Sequence, residues 1–526
     1  MTHASSLPSD ALHSRVKLLM SSSALPLLAG LSRGIEKEGL RVTPQGKLSL
    51  TAHPTELGAA LTHGQITTDY SESQLELVTP VAVHPWESLE QLDRLHRFTL
   101  GVMGEELMWP ASMPCTLPPE PEIPIAQYGT SREGRKRMIY RRGLGHRYGR
   151  AMQMISGVHY NFSMPKSFWQ YAEALWPELP ADEELSDYAY FGLMRNVQRY
   201  SWLLAYLFGA SPMMERSCFN EASKLLLVLD ELTLGLPWAT SLRVSDLGYA
   251  SHQPSPSLAG LEAYLEDLSS AMETPHPEFL RFGSLDSEEP QQLNGNRIQS
   301  ESEIYSDVRP KCRLAEGESL LQALTTRGVE YVELRTLDLN PFLPHGLDEG
   351  QIHFLDAFML YCLLADSPPL TIAEQEEAQF NKRCVALEGR SPGAMLRRRG
   401  RLCPLERAAT ELLDGIETVA RLLDLAQYRE RGSDWLGRIQ AHHQSVLTQR
   451  AKVEDSRLTP SARIMEGVAA AGSFRSFALA QAQRHKAFFL SAPLSSFDSA
   501  LMQNQAADSL RRQQLQELQE KKSQEV

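Results

Sequence analysis

Three stretches of the chain alternate with the period of two that a β-strand imposes. The first is Arg33-Gly34-Ile35-Glu36-Lys37-Glu38-Gly39-Leu40-Arg41-Val42, where Glu36 and Glu38 share one face and Ile35 and Lys37 the other. The second lies within residues 66–80, where Asp69 precedes a run that puts Gln74, Glu76 and Val78 on one face. The third spans 328–338, with Glu333 and Arg335 on one side and Val332 and Leu334 on the other. The apolar run 153–162 predicts a buried strand carrying His159. Elsewhere the period is helical. It predicts a short amphipathic helix over 18–31 and a longer one over 86–108 through Leu89, Leu92, Leu95, Phe98 and Val102. A third, over 186–208, stops before Gly209-Ala210-Ser211-Pro212. From about residue 350 onward the pattern stays helical, with helices over 350–365, 404–428, 434–450 and 474–486. Residues 508–526 are charged and Gln-rich and read as a frayed or weakly packed helix.

Proline and glycine mark the connections. A Pro-rich loop runs over 110–124, a loop-rich segment over 236–256, and a polar excursion over 283–300 turns at Asn294-Gly295. There is no internal repeat. With 526 residues and 42% hydrophobic content the chain buries a sizeable core. Its net charge of -13 argues against a general nucleic-acid binder. The six cysteines form no CxxC, so neither a zinc framework nor a disulfide scaffold is expected. That usage fits a reduced, cytoplasmic protein, although Cys384 and Cys403 could pair if the fold brought them together. The N-terminus lacks a signal-peptide pattern, and no apolar run reaches the roughly 18–20 residues of a membrane span.

The three acidic stretches carry the candidate chemistry. Neighbouring carboxylates repel unless a cation lies between them, and Mg²⁺ takes such oxygens. Each stretch alone also fits the wet face of a sheet; the recurrence favours metal. Positive charge concentrates once, between Arg132 and Arg150, as a docking place for phosphate or carboxylate or as a solvated face. There is no GxGxxG and no GxxxxGK[ST], so a nucleotide is not held by a P-loop. A metal ligand beside a guanidinium, as at Glu333 and Arg335, is how proteins hold metal-bound phosphates. The residues alone point to a magnesium-dependent enzyme handling a phosphorylated ligand.

The sequence also resembles a known family. RGIEKEGLRV, ALTHGQITTDYSESQLELVTPV, MWPASMPC, AQYGTS, GVHYNF, YLFGASP, ATSLRVSDLGY, IYSDVRPK, GVEYVELRTLDLNPF and ALEGR occur in the order found in proteobacterial glutamate–cysteine ligases, from Arg33 to Arg390. The resemblance implies an α+β fold, a glutamine synthetase-like antiparallel sheet curled into a funnel and surrounded by helices. It implies a catalytic part over 1–365 and a helical C-terminal region over 366–526. The implied reaction is ATP-dependent joining of the L-glutamate γ-carboxylate to the L-cysteine amine through γ-glutamyl phosphate; a related glutamate–amine ligase with another acceptor is the alternative. Carried over residue by residue, the metal ligands are Glu36, Glu38, Asp69, Glu76, His159 and Glu333, for Mg²⁺ with Mn²⁺ as a substitute. Arg335 and Arg141 match positions near the transferred phosphate. The cysteine pocket maps to Tyr70, Tyr140, Leu144, Gln153, Arg243, Tyr249 and Tyr305, with Tyr70 standing where the family has Phe. The family also implies feedback by glutathione, and neither nucleic-acid nor membrane partners.

Overall fold

The computed structural model describes residues 9–181, 183–218, 225–248, 255–285, 287–431 and 440–525. Among them, seven strands form one open, antiparallel sheet. These are β1 (Ser32–Val42), β2 (Ile66–Thr68), β3 (Gln74–Val78), β4 (Leu107–Met108), β5 (Val158–Ser163), β9 (Val308–Lys311) and β10 (Tyr331–Leu337). Their order is β2-β3-β1-β5-β10-β9, with β4 paired to the far end of β1. A three-stranded sheet is made by β6 (Met213–Glu215), β7 (Leu227–Val228) and β8 (Thr233–Gly235), and a hairpin by β11 (Met395–Arg398) and β12 (Arg401–Pro404). The helices before residue 365 are α1 (Ser9–Ser21), α2 (Pro85–Val102), α3 (Arg132–Tyr148), α4 (Lys166–Trp169), α5 (Leu185–Phe208), α6 (Leu261–Glu273), α7 (Leu320–Arg327) and α8 (Glu349–Leu364). After it come α9 (Ile372–Glu388), α10 (Leu405–Arg431), α11 (Ala441–Glu454), α12 (Pro460–Ala471), α13 (Phe474–Leu490) and α14 (Ser496–Glu525).

The large sheet is two-faced, as the alternation requires. Ile35, Leu75, Leu77, Val158, Tyr160, Phe162, Val332 and Leu334 are fully buried in one cluster with Phe354 and Phe358 of α8. Every residue of α8 from Gln351 to Leu364 is buried, the expected state of a helix that is apolar nearly all round. The acids are left on the opposite face.

Local chemistry accounts for the differences from the periodicity. The first helix covers 9–21 rather than 18–31. The Ser21 hydroxyl donates to the Lys17 and Leu18 carbonyls and the Ser22 hydroxyl to Leu19, and Pro26 opens a separate 3₁₀ turn. The helix expected over 86–108 stops at Val102, and Leu107–Met108 pairs with Arg41 and Val42 instead. Met152–Met154 is a 3₁₀ turn, so the His159 strand starts only at Val158. The tail is not frayed. Ser509 of α14 donates from its hydroxyl to Ala506 and accepts the Ala59 amide at 2.9 Å, while Glu517 and Glu520 accept the Thr130 and Arg132 amides at 2.7 and 2.6 Å. Gly58, at φ +89°, lets that crossing happen, since a Cβ there would meet the Ala506 backbone at 2.9 Å. Of the helix expected over 434–450, residues 434–439 lie outside the described residues and 441–450 fall within α11. Cys384 and Cys403 are both free thiols.

Candidate functional site

Residues directly opposed across an antiparallel pair share a face. Glu76 opposes Glu38, Glu36 opposes His159, and Glu333 opposes Asn161 on one side and Arg309 on the other. Five strands therefore present their polar residues to one surface. That surface grades from acidic at β3 and β1, through His159 and Asn161, to basic at β9. One residue extra on β10 between Leu334 and Leu337 makes a bulge, which re-aims Arg335 at the end of the acidic run.

His159 lies between the acids. Its Nδ1 is 3.2 Å from Glu36 Oε2 and 3.7 Å from Glu333 Oε1, and its Nε2 is 3.5 Å from Glu38 Oε1. Asn161 donates to Glu36 Oε1 at 2.8 Å, and the Gly157 amide donates to Glu38 Oε2 at 2.8 Å. Glu333 is buried and ion-paired, 3.1 Å from Arg335 Nη1 and 3.4 Å from Lys311 Nζ. Donor atoms of Glu36, Glu76 and His159 all lie within 4.8 Å of one another. Two carboxylates and an imidazole suit Mg²⁺ or Mn²⁺ better than a soft ion.

Burial opposes ionisation of all four glutamates, and their neighbours decide the outcome. At Glu333, Lys311, Arg335, His159 and Arg309 outweigh burial and hold the carboxyl well below the usual range. At Glu36 burial and the repulsion of Glu333 are outweighed only by the hydrogen bond and charge of His159 together with Lys311, which lower its carboxyl. Glu38 is raised by burial, with Asp69 adding repulsion against the pull of His159. Glu76 is raised furthest, by burial and then by Glu36, Asp69 and Glu38. Negative charge thus crowds around Glu76, where a cation would relieve it.

The basic side is built for an anion. Arg309 Nε, Arg335 Nε and Arg243 Nη1 are buried with no hydrogen-bond partner in the protein, as are Gln153 Nε2 and Asn161 Oδ1. Arg243 donates from Nη2 to the Arg335 carbonyl at 2.8 Å and lies against Gly157, where a Cβ would stand 2.1 Å from that nitrogen. Arg141 comes from α3, whose start is capped by the Ser131 hydroxyl accepting the Gly134 amide. Its Nε donates to the Asp69 carbonyl, and its guanidinium stacks 4.6 Å from the centre of the Tyr128 ring.

The structure thus gathers Glu36, Glu38, Glu76, His159, Glu333 and Arg335 directly, with Asp69 and Arg141 alongside. Leu144, Gln153 and Tyr70 are buried to one side of the sheet, and Tyr140 passes its carbonyl to Gln299 at 3.1 Å. Tyr305 lines a separate cavity of about 330 Å³ together with Val244, Ser245 and Lys382, next to Arg243 in the chain. Tyr249 lies outside the described residues. Sequence reasoning missed Asn161, Arg309 and Lys311. Pro310 disguised β9, because proline reads against a strand; it is tolerated here since β9 is the sheet's edge. The alternation of Arg309 and Lys311 about it was the available signal.

An open antiparallel sheet with acids, an imidazole and arginines on one face defines an enzyme for anionic substrates, of the carboxylate–amine ligase class. The family model for glutamate–cysteine ligase matches residues 16–385. Glutamate–cysteine ligases of Pseudomonas aeruginosa and Pseudomonas fluorescens are each 45% identical over 509 residues, 96% of this chain and 94% of theirs. The crystal structure of glutamate–cysteine ligase from Francisella tularensis in complex with AMP superposes with a TM-score of 0.84 at 34% identity, covering 93% of this chain and 94% of that one. A bifunctional glutathione synthetase from Pasteurella multocida shares the fold, with a TM-score of 0.71 at 23% identity over 94% of this chain and 57% of its own. The chain belongs to the glutamate–cysteine ligase family.

Proposed function

We propose that this chain joins the γ-carboxylate of L-glutamate to the amine of L-cysteine at the expense of ATP, the first step of glutathione synthesis. The convergence of Glu36, Glu76 and His159 beside the Glu333–Arg335 pair carries this reading. A carboxylate does not react with an amine at neutral pH and must first be activated. A γ-carboxylate oxygen attacks the ATP γ-phosphorus, the bond to the ADP oxygen breaks, and γ-glutamyl phosphate forms. The cysteine amine then attacks the acyl carbon, inorganic phosphate leaves with the bonding pair, and the amine gives up a proton. No protein nucleophile is needed.

In this proposal Glu36, Glu38, Asp69, Glu76, Glu333 and His159 hold Mg²⁺, with Mn²⁺ as a substitute. Bound divalent ions screen the repulsion between two anionic reactants and neutralise charge on the transferring phosphoryl. Arg335 and Arg141 face that phosphoryl, and the unpartnered Nε of Arg335 is a donor waiting for such an oxygen. Tyr70, Tyr140, Leu144, Gln153, Arg243, Tyr249 and Tyr305 form the cysteine pocket. The family's nucleotide site, occupied by AMP in the Francisella protein, supports ATP as co-substrate. Glutathione, which contains the product, competes for the same sites as a feedback inhibitor. The catalytic work is assigned to residues 1–365 and support to the helices of 366–526. The reaction is placed in the cytoplasm, and no helix among the described residues is long and apolar enough to cross a membrane.

The test is ADP release. It should require Mg²⁺, L-glutamate and L-cysteine together, should persist when 2-aminobutyrate replaces cysteine, and should fall with unrelated amines. ATP binding without release, or release indifferent to the acceptor, refutes the reading.

A further inference from the structure

Beneath the sheet, on its apolar side, the helices gather a second set of donors. His353 and Asp356 sit one turn apart on α8, and His442 lies in the first turn of α11. All three side chains are buried, and one donor atom from each lies within 4.8 Å of the other two. His442 Nε2 is 3.7 Å from Asp356 Oδ2, too long for a hydrogen bond. Tetrahedral zinc, with bonds of about 2.0–2.1 Å, spaces its ligands by roughly 3.3–3.4 Å. Seating the ion would draw the three donors from separations of up to 4.8 Å inward to that spacing.

The outer atoms of these groups are already held. His442 Nδ1 is 2.8 Å from Asp424 Oδ1, and His353 Nε2 is 3.5 Å from Glu349 Oε1. Asp356 Oδ1 accepts from Arg33 Nε at 3.1 Å and from the Tyr160 hydroxyl. The inner atoms, His353 Nδ1 and Asp356 Oδ2, are buried and have no hydrogen-bond partner. Metal-ligating histidines hand their other ring nitrogen to a carboxylate in this way, which fixes the ring and the tautomer. An apolar interior does not leave such atoms unpaired without cost.

Burial disfavours a charged His442, but Asp356 and Asp424 on either side outweigh it and raise its pKa, so an ion seated there would displace a proton. Two imidazoles among the ligands select zinc over the oxygen-loving Mg²⁺ or Ca²⁺.

We propose that His353, Asp356 and His442 form a structural Zn²⁺ site, completed by a water and separate from the acidic face of the sheet. Asp424 stands on α10 and also accepts the His442 and His443 amides that start α11, at 3.2 and 3.0 Å. Arg33 belongs to β1, and Tyr160 to β5, one residue from His159. The ion would thus tie α8, α10 and α11 to the two strands that present Glu36 and His159.

The full-length chain, expressed with zinc and dialysed against excess Mg²⁺ and a weak chelator, should retain stoichiometric zinc by mass spectrometry. His159→Gln, which disables the acidic face, should retain it too. His353→Gln should lose it, while leaving the Arg33–Asp356 pair and the Asp424 cap in place. Stripping with 1,10-phenanthroline should lower the Tm of the wild type by several degrees, zinc should restore it, and His353→Gln should respond to neither. Zinc lost in His159→Gln but kept in His353→Gln would assign the metal to the catalytic face and overturn the proposal, as would sub-stoichiometric zinc. Should His353→Gln fold poorly, Co²⁺ added to stripped His159→Gln protein should give the visible absorption of tetrahedral cobalt with imidazole ligands. A colourless protein there also refutes the site.

Discussion

Glu38 on β1 and Glu76 on β3 stand directly opposite each other, two acids in one cross-strand pair. Like charges so placed weaken a sheet. Here they stand beside Glu36 and His159, where the proposed cation would turn the same repulsion into affinity. A local rule of sheet stability is broken at the point where the chemistry needs it broken.

Glu333→Gln should leave the fold intact and lower turnover by about 100-fold or more, the scale of losing a charged ligand or a preorganised charge. The amide can still accept from Arg335 and Lys311, so packing survives. What is lost is the charge that holds those two cations in place and completes the metal face. ADP release at saturating Mg²⁺, glutamate and cysteine measures this, with circular dichroism as the check on folding. Wild-type turnover would show that Glu333 belongs to an ordinary ion pair.

Arg243→Ala should raise the KM for cysteine more than the KM for ATP. The guanidinium reaches across Gly157 to the Arg335 carbonyl, and its buried Nη1 makes no hydrogen bond. Removing it also leaves Asp338, 3.8 Å away, without its counter-ion, so some loss of stability is expected. Initial rates against each substrate separate the two effects, and an unchanged cysteine KM would remove Arg243 from the pocket.

Tyr70→Phe should keep or raise the Tm. The Tyr70 ring is 1% exposed, and its hydroxyl has no hydrogen-bond partner. It presses on α3 so closely that a Cβ at Gly145 would stand 2.5 Å from it. Deleting an unsatisfied buried hydroxyl relieves a desolvation cost of about 1–3 kcal/mol, and the ring that shapes the pocket stays. A clear fall in Tm would reveal a partner for that oxygen.

How much of this was legible in the chain differs by residue. The period of two placed Glu36, Glu38, Glu76 and Glu333 on strands, and β3 begins and ends where the alternation does, at Gln74 and Val78. What periodicity could not supply was pairing. Only register shows that Glu36 faces His159 and that Arg309 faces Glu333. Composition showed Arg141 only as one basic residue among many, and the family resemblance alone singled it out; its contact with the Asp69 carbonyl depends on how α3 docks. In the tail Leu515 and Leu518 are exposed, as its charged, Gln-rich composition suggests, but Met502 and Ala506 just before it turn inward and Ser509 adds a buried hydrogen bond that composition cannot announce. The paired donors of His353 and His442, 89 residues apart by number, had no sequence spacing to give them away.

Stability should fall as pH drops from 7 to 5, and His485 should account for part of the slope. Burial, with Lys37 and His345 nearby, pushes its pKa from 6.5 down to about 3. His53, buried beside Arg41, is pushed to about 4. In both cases the folded state refuses a proton that the unfolded chain accepts below pH 6.5. The contribution is therefore complete above pH 6.5 and is lost as pH falls toward the folded-state value, approaching about 1.4 kcal/mol per pH unit for each group. His485→Gln cannot take up that proton when unfolded, so its Tm should decline less steeply than that of the wild type over the same interval. Thermal melts followed by circular dichroism at pH 7, 6 and 5 compare the slopes. Parallel curves for the two proteins would mean that His485 is protonated alike in both states, and that the buried ring finds a counter-charge on folding.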